Sequence, residues 1–229
     1  MPNTTKQEGL ARRSFLKYGG ATLATASLVM TGCEEFYDVI PRRPAKGVSL
    51  GKGDTGILNY AYTLEQLEAR FYTLVIASSV NCGFSDEELR ILTDLQQHET
   101  IHKDFFKAVL GKDAIADLEF DFSSIDFTSR SNVLKAAKTF EDLGVAAYNG
   151  AGKLLESADL LLIAGKIVSV EARHAAAIRS VLDDDPTSFA GDDVIDANGL
   201  DRAFSTQTVL EAAAPFIVTD IDASELPTA

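Results

Sequence analysis

One pattern of charge constrains this chain more than any other: a Glu three residues before a His, written twice. It occurs in HETIH as Glu99 with His102, and in EARH as Glu171 with His174. Three residues turn a helix by about 300°, so each Glu and its His leave the same helix face. One helix earlier, each pair is preceded by a lone Glu with a Tyr seven residues on: Glu65 with Tyr72 in LEQLEARFY, and Glu141 with Tyr148 in FEDLGVAAY. The chain thus reads as a two-helix unit written twice. A four-helix bundle that holds two metal ions needs this set, one Glu from each of two helices and Glu-x-x-His from the other two.

The neighbours of these acids are apolar. Seven before, four before and eleven after the key Glu stand Leu, Ile, Ala or Gly in all four stretches: Leu58, Ala61 and Ile76 around Glu65; Leu92, Leu95 and Leu110 around Glu99; Leu134, Ala137 and Gly152 around Glu141; Ala164, Ile167 and Leu182 around Glu171. On a wheel of 100° per residue these form one stripe with the acid in its middle. Buried carboxylates without partners cost several kcal/mol each, so a core built this way needs cations. Glu65, Glu99, His102, Glu141, Glu171 and His174 are the expected metal ligands. Oxygen-rich ligation with one imidazole per metal suits iron or manganese, and two such ions point to O₂ or hydrogen peroxide handling.

Three residues stand near this set. Glu68 lies about 60° from Glu65 on the wheel and could replace or assist it. Tyr72 and Tyr148 lie almost directly above their own helix's Glu and read either as core aromatics or as donors to the carboxylates. His98 is about 100° off the Glu99 face and is expected on the surface, and Arg173 outside the ligand set.

Helices are expected over about 57–79, 85–110, 131–157 and 158–182. Ser85 with Glu88 forms a capping box at the second start, and Gly111 stops that helix. Residues 112–130 alternate apolar and polar side chains, which fits a long crossover between the second and third helices, with room for a short strand. A Gly- and Asp-rich loop and a short helical piece, TQTVLEAAAPFI, follow the fourth helix. With 229 residues and 46% hydrophobic content, one bundle over 55–217 and a tail over 218–229 account for the length.

The start of the chain has another character. ARRSFLK, an apolar run to Met30 and then TGC resemble a twin-arginine export signal ending in a lipoprotein cleavage box. Arg12 and Arg13 are the twin pair and Cys33 the residue to be lipidated. About 13 apolar residues are too few to span a bilayer, which needs about 20. Residues 1–32 are read as signal peptide and 33–54, with two prolines and several glycines, as a membrane tether. Removal of 1–32 takes away four basic residues and one acid, moving the net charge from −13 to −16. That balance argues against nucleic acid as a partner. With Cys33 lipidated, Cys82 has no partner for an intramolecular disulfide.

LEQLEARFY, HETIHKDFF, FEDLGVAAYNGA and VEARHAAAIR, in this order, resemble the ferritin-like superfamily, and more closely its desiccation-related proteins; a fainter likeness lies around LDRAFSTQTVLEAAAPFI. The resemblance covers roughly residues 55–217. It implies an all-α, ferritin-like four-helix bundle with a di-metal centre and a role in stress. Superfamily relatives include iron stores, rubrerythrins, manganese catalases and oxygenases, so the fold alone does not choose a reaction. A four-Cys iron site is ruled out by the cysteine count, and a lipid tether fits poorly with closure into a storage cage. The expectation is an exported, membrane-anchored protein of the periplasm or cell surface, with homo-oligomer formation left open. Its site either turns over peroxide or O₂, or holds metal for stability or sequestration alone.

Overall fold

The computed structural model describes residues 47–183, 185 and 187–228. The signal segment, with Arg12, Arg13 and Cys33, and the first part of the tether lie outside the described residues. Four long helices dominate: α1 (Gly53–Ser78), α2 (Asp86–Leu110), α3 (Arg130–Ala151) and α4 (Ala158–Leu182), followed by a short α5 (Thr206–Ala213). Two short strands, β1 (Val48–Ser49) and β2 (Ile221–Asp222), complete the domain. No helix among the described residues is long and apolar enough to cross a membrane.

Local chemistry fixes the ends. Ser85 Oγ accepts the Glu88 amide at 3.2 Å while the Glu88 carboxylate accepts the Ser85 amide at 2.8 Å, so two orphan donors of α2 are satisfied reciprocally. Ser129, Ser157 and Ser205 cap α3, α4 and α5 in the same sense. The third helix stops at Ala151, short of the expected 157, and passes through a 3₁₀ turn at Gly152–Leu154. The reason is tertiary: Asp54 in the first turn of α1 accepts the amides of Glu156 and Ser157 at 2.7 and 3.0 Å, which draws the loop away from the helical path.

The helices divide into an inner and an outer pair. Sixteen of the 26 residues of α1 are buried, against six of 25 in α2, and α3 and α4 repeat the contrast. The helices that carry histidine are therefore the ones nearer solvent. Residues 114–129 form the crossover from α2 to α3. It is pinned by two buried amides of α1: Asn59 Oδ1 accepts the Ile115 amide at 3.0 Å, and Gln66 Oε1 accepts the Leu118 amide at 2.8 Å. Phe122 from this segment packs on Phe71, Phe140 and Phe216, closing one end of the core with aromatic rings.

Two boundaries differ from the sequence reading. Residues 47–54, assigned to the tether, belong to the fold: Leu50 is fully buried, and Val48 and Ser49 pair in parallel with Ile221 and Asp222. The tail from 218 is likewise built in, since the Val218 amide donates to Glu119 O at 2.8 Å and Leu226 is buried. Neither partner of that pairing carries a periodic signal, because each strand is two residues long and its mate lies about 170 positions away. Upstream of α5 the chain crosses α3 at Gly150, where a Cβ would sit 1.7 Å from the Phe204 carbonyl oxygen, so no larger residue fits. Arg179, 2% exposed, ties the loop after α4 to α3 by donating to Asp142 at 2.7 Å and to Asp193 at 2.8 Å.

Candidate metal centre

Halfway along the bundle the six predicted ligands converge. Glu65 comes from α1, Glu99 and His102 from α2, Glu141 from α3, and Glu171 and His174 from α4. All four carboxylates are fully buried; the His174 side chain is 4% exposed and that of His102 12%. Their ligand atoms form two sets, Glu65, Glu99, His102 and Glu171, and Glu99, Glu141, Glu171 and His174, with every atom of a set within 4.8 Å of the others. Glu99 and Glu171 belong to both.

The two sets are near mirror copies. His102 Nδ1 stands 2.8 Å from Glu171 Oε1 and 3.6 Å from Glu99, its own partner in the motif. His174 Nδ1 stands 2.7 Å from Glu99 Oε1 and 3.6 Å from Glu171. Each imidazole thus approaches the motif Glu of the opposite helix more closely than its own. The repeat in sequence has become a two-fold in space.

These short distances are not well-directed hydrogen bonds. Glu65 Oε2, both oxygens of Glu99, Glu141 Oε2, both oxygens of Glu171 and Nδ1 of both histidines are buried without a hydrogen bond of acceptable angle. These eight atoms have only one another as partners, in imidazole–carboxylate contacts of 2.7–3.6 Å, and two imidazoles do not offset four buried carboxylates, so the cluster is not a self-sufficient core. All eight are oxygen or nitrogen donors aimed at a shared interior. The residues fit divalent cations.

Electrostatics follow from the crowding. Burial holds the Glu65 carboxyl well above its ordinary value, and the neighbouring charge of Glu171 adds to the effect. Burial likewise raises Glu141, to about 8. Glu99 goes the other way: burial raises it, but the imidazoles of His102 and His174 outweigh that and bring it to about 2. His102 is penalised by burial, yet its carboxylate neighbours, Glu171 foremost, push it up to about 12, and His174 is raised for the same reason. In the metal-free cluster the imidazoles carry protons that stand where cations would.

The tyrosines act across the bundle rather than along it. Tyr72 on α1 donates to Glu141 Oε1 on α3 at 2.5 Å, and Tyr148 on α3 donates to Glu65 Oε1 on α1. The expectation that each sits above its own helix's Glu is correct on the wheel, but seven residues rise about 10.5 Å, beyond a phenol's reach. Antiparallel packing brings the other repeat's Glu to it. Each bond occupies Oε1 and leaves Oε2 turned to the interior.

Glu68 is buried beside the cluster and belongs to neither donor set. Burial first, and then the charges of Glu99 and Glu171, hold its carboxyl well above the usual range, which favours the protonated form. Its Oε1 lies 3.0 Å from where a Cβ on Gly144 would sit, so the missing side chain of α3 makes the space. Arg173 turns outward and donates to Ser169.

His98 is the residue that sequence reasoning undervalued. It is exposed, as expected, yet its Nδ1 lies 2.9 Å from Nε2 of His174, with the rings stacked at 5.1 Å between centroids and 12° between planes. The signal was available: His98 precedes His102 by four residues, the spacing that puts side chains on one face. A wheel centred on Glu99 obscures it.

With this geometry in place, the comparison with known families is decisive for the fold. The family model of the ferritin-like domain matches residues 53–184, more than half of the chain. The chain belongs to the ferritin-like domain family. Its match begins at the first residue of α1 and ends just beyond α4, so the four helices and all six clustered residues of the ferritin-like domain lie inside it. No curated protein matches the chain.

Proposed function

We infer that this ferritin-like protein binds two iron or manganese ions through Glu65, Glu99, His102, Glu141, Glu171 and His174, and uses them on O₂ or hydrogen peroxide to protect the cell envelope under stress. The observation that carries the reading is the set of eight buried donor atoms without hydrogen bonds, divided into two groups that share Glu99 and Glu171. Four carboxylates balance two dications once the imidazoles are neutral, which removes the desolvation problem of the metal-free core. The donor set has no sulfur and one imidazole for each position, which favours iron or manganese over zinc or copper.

When bound, such ions supply reversible one-electron changes between their divalent and trivalent states. The chain's own residues do the rest. Glu99 and Glu171, which belong to both donor sets, would serve both ions, and Tyr72 and Tyr148 orient Glu141 and Glu65 by their outer oxygens. The sealed carboxylates exclude bulk water, and His102 is the most exposed of the six residues. Arg12, Arg13 and Cys33 would place the domain outside the cytoplasm on a lipid anchor.

The test is elemental analysis of the purified chain from cells supplied with both iron and manganese, beside Glu99→Ala. About two ions per chain, lost in the variant, followed by consumption of H₂O₂ or O₂ that the variant lacks, is the expected result. Absence of metal from the wild type would sink the reading; two ions without turnover would leave a centre that stabilises or sequesters. Export is checked separately with Lys at both Arg12 and Arg13, which should retain the precursor in the cytoplasm.

A further inference from the structure

The two candidate metal positions are alike in their ligands and unlike one step outward. His174 Nε2 faces His98 Nδ1 at 2.9 Å, whereas the outer nitrogen of His102 makes no hydrogen bond among the described residues. The repeat makes the comparison exact in register: His98 stands immediately before Glu99, and the residue immediately before Glu171 is Val170, which has no side-chain acceptor. Burial differs in the same direction, since all four donors of the His174 set are buried while His102 in the other set is only partly so.

Resting on the metal reading above, we propose that His98 is a positioning residue that makes the His174 position the tighter of the two, so that it fills first. His174 must present an unprotonated Nδ1 to a cation and keep its proton on Nε2. That N–H then donates to Nδ1 of His98, which carries its own proton on Nε2. The bond fixes the tautomer, and the stacked ring limits rotation about the side chain. His102 also stacks on His174, at 6.1 Å between centroids and 30° between planes, but its outer nitrogen has no partner to fix the tautomer, so its imidazole loses more freedom on binding. An outer partner of a ligating histidine is typically worth 10–100-fold in metal affinity.

Mn(II) titrated into the metal-free full chain, followed by calorimetry and electron paramagnetic resonance, tests this. In the wild type the first equivalent should give the signal of an isolated Mn(II), and the second should broaden it as the neighbouring position fills. His98→Val, which gives both repeats the same residue before the motif Glu, should weaken the tighter constant 10–100-fold and leave the weaker one in place. His98→Gln should recover part of the loss through its amide oxygen. Val170→His should tighten the weaker position. Simultaneous filling in the wild type, or an unchanged tighter constant in His98→Val, would overturn the proposal. No Mn(II) uptake by the wild type would instead remove the metal reading beneath it. His98 is exposed, so its variants should fold normally, with melting temperatures as the control.

Discussion

The two helix pairs, α1 with α2 and α3 with α4, offer the same chemistry at the centre and different chemistry around it. Each supplies a lone Glu, a Tyr seven residues on, and Glu-x-x-His. Each Tyr serves the other pair's Glu, and each His leans toward the other pair's motif Glu. Outside that ring the pairs part company, with Glu68 where the second has Gly144 and His98 where it has Val170. Eight converging donors leave little latitude for residue type, whereas their neighbours meet solvent, crossover or tail on one side only. The lesson is that a two-fold set of buried donors does not carry two-fold surroundings.

The largest effect should separate shared from unshared ligands. Glu99→Ala and Glu171→Ala each remove a donor from both sets and should reduce bound metal from two ions to none, while Glu65→Ala should leave one, held by the His174 set. Equal loss in all three would break the distinction between shared and unshared acids.

Next comes pH. In the metal-free protein Glu141 keeps its proton up to about 8 and His102 up to about 12, so cations must displace protons from both. Affinity should therefore rise as pH rises from 6 to 8, about tenfold per unit for each proton released. Calorimetry in buffers of different ionisation enthalpy counts those protons, and pH-independent binding would contradict the assignment.

A smaller effect tests the crosswise tyrosines. Tyr148→Phe should weaken the position that uses Glu65, by about tenfold, and Tyr72→Phe the position that uses Glu141. Each should also cost the metal-free fold about 1–3 kcal/mol for the stranded carboxylate oxygen. If each change weakened the position of its own helix instead, the crossing would be wrong. The smallest change is expected at Glu68→Gln: burial favours the protonated carboxyl, and the metal-free stability should change by less than the ~1 kcal/mol typical of point mutants, as read by thermal unfolding. A large loss would make Glu68 a charged participant.

How much of this was legible beforehand follows from range. The start of α2 at Ser85, its stop near Gly111 and all of α4 could be read because capping and hydrophobic period act within a few residues. The end of α3 could not, since Asp54 decides it from about 100 positions away. The six clustered residues were legible because helical spacing alone puts Glu and His on one face, and because four buried acids in apolar stripes demand a common counter-charge.

The sequence by itself determined the four helices, which face of each turns inward and which donors that face carries, since all of these are set by the 3.6-residue period and the cost of burying charge. Only the tertiary structure decided that Tyr72 reaches Glu141 and Tyr148 reaches Glu65, that His98 backs the outer nitrogen of His174, and that residues 47–54 close on the tail. Each of those depends on which atoms the packing of distant segments brings within about 3 Å, and hydrogen bonds beyond that reach contribute little.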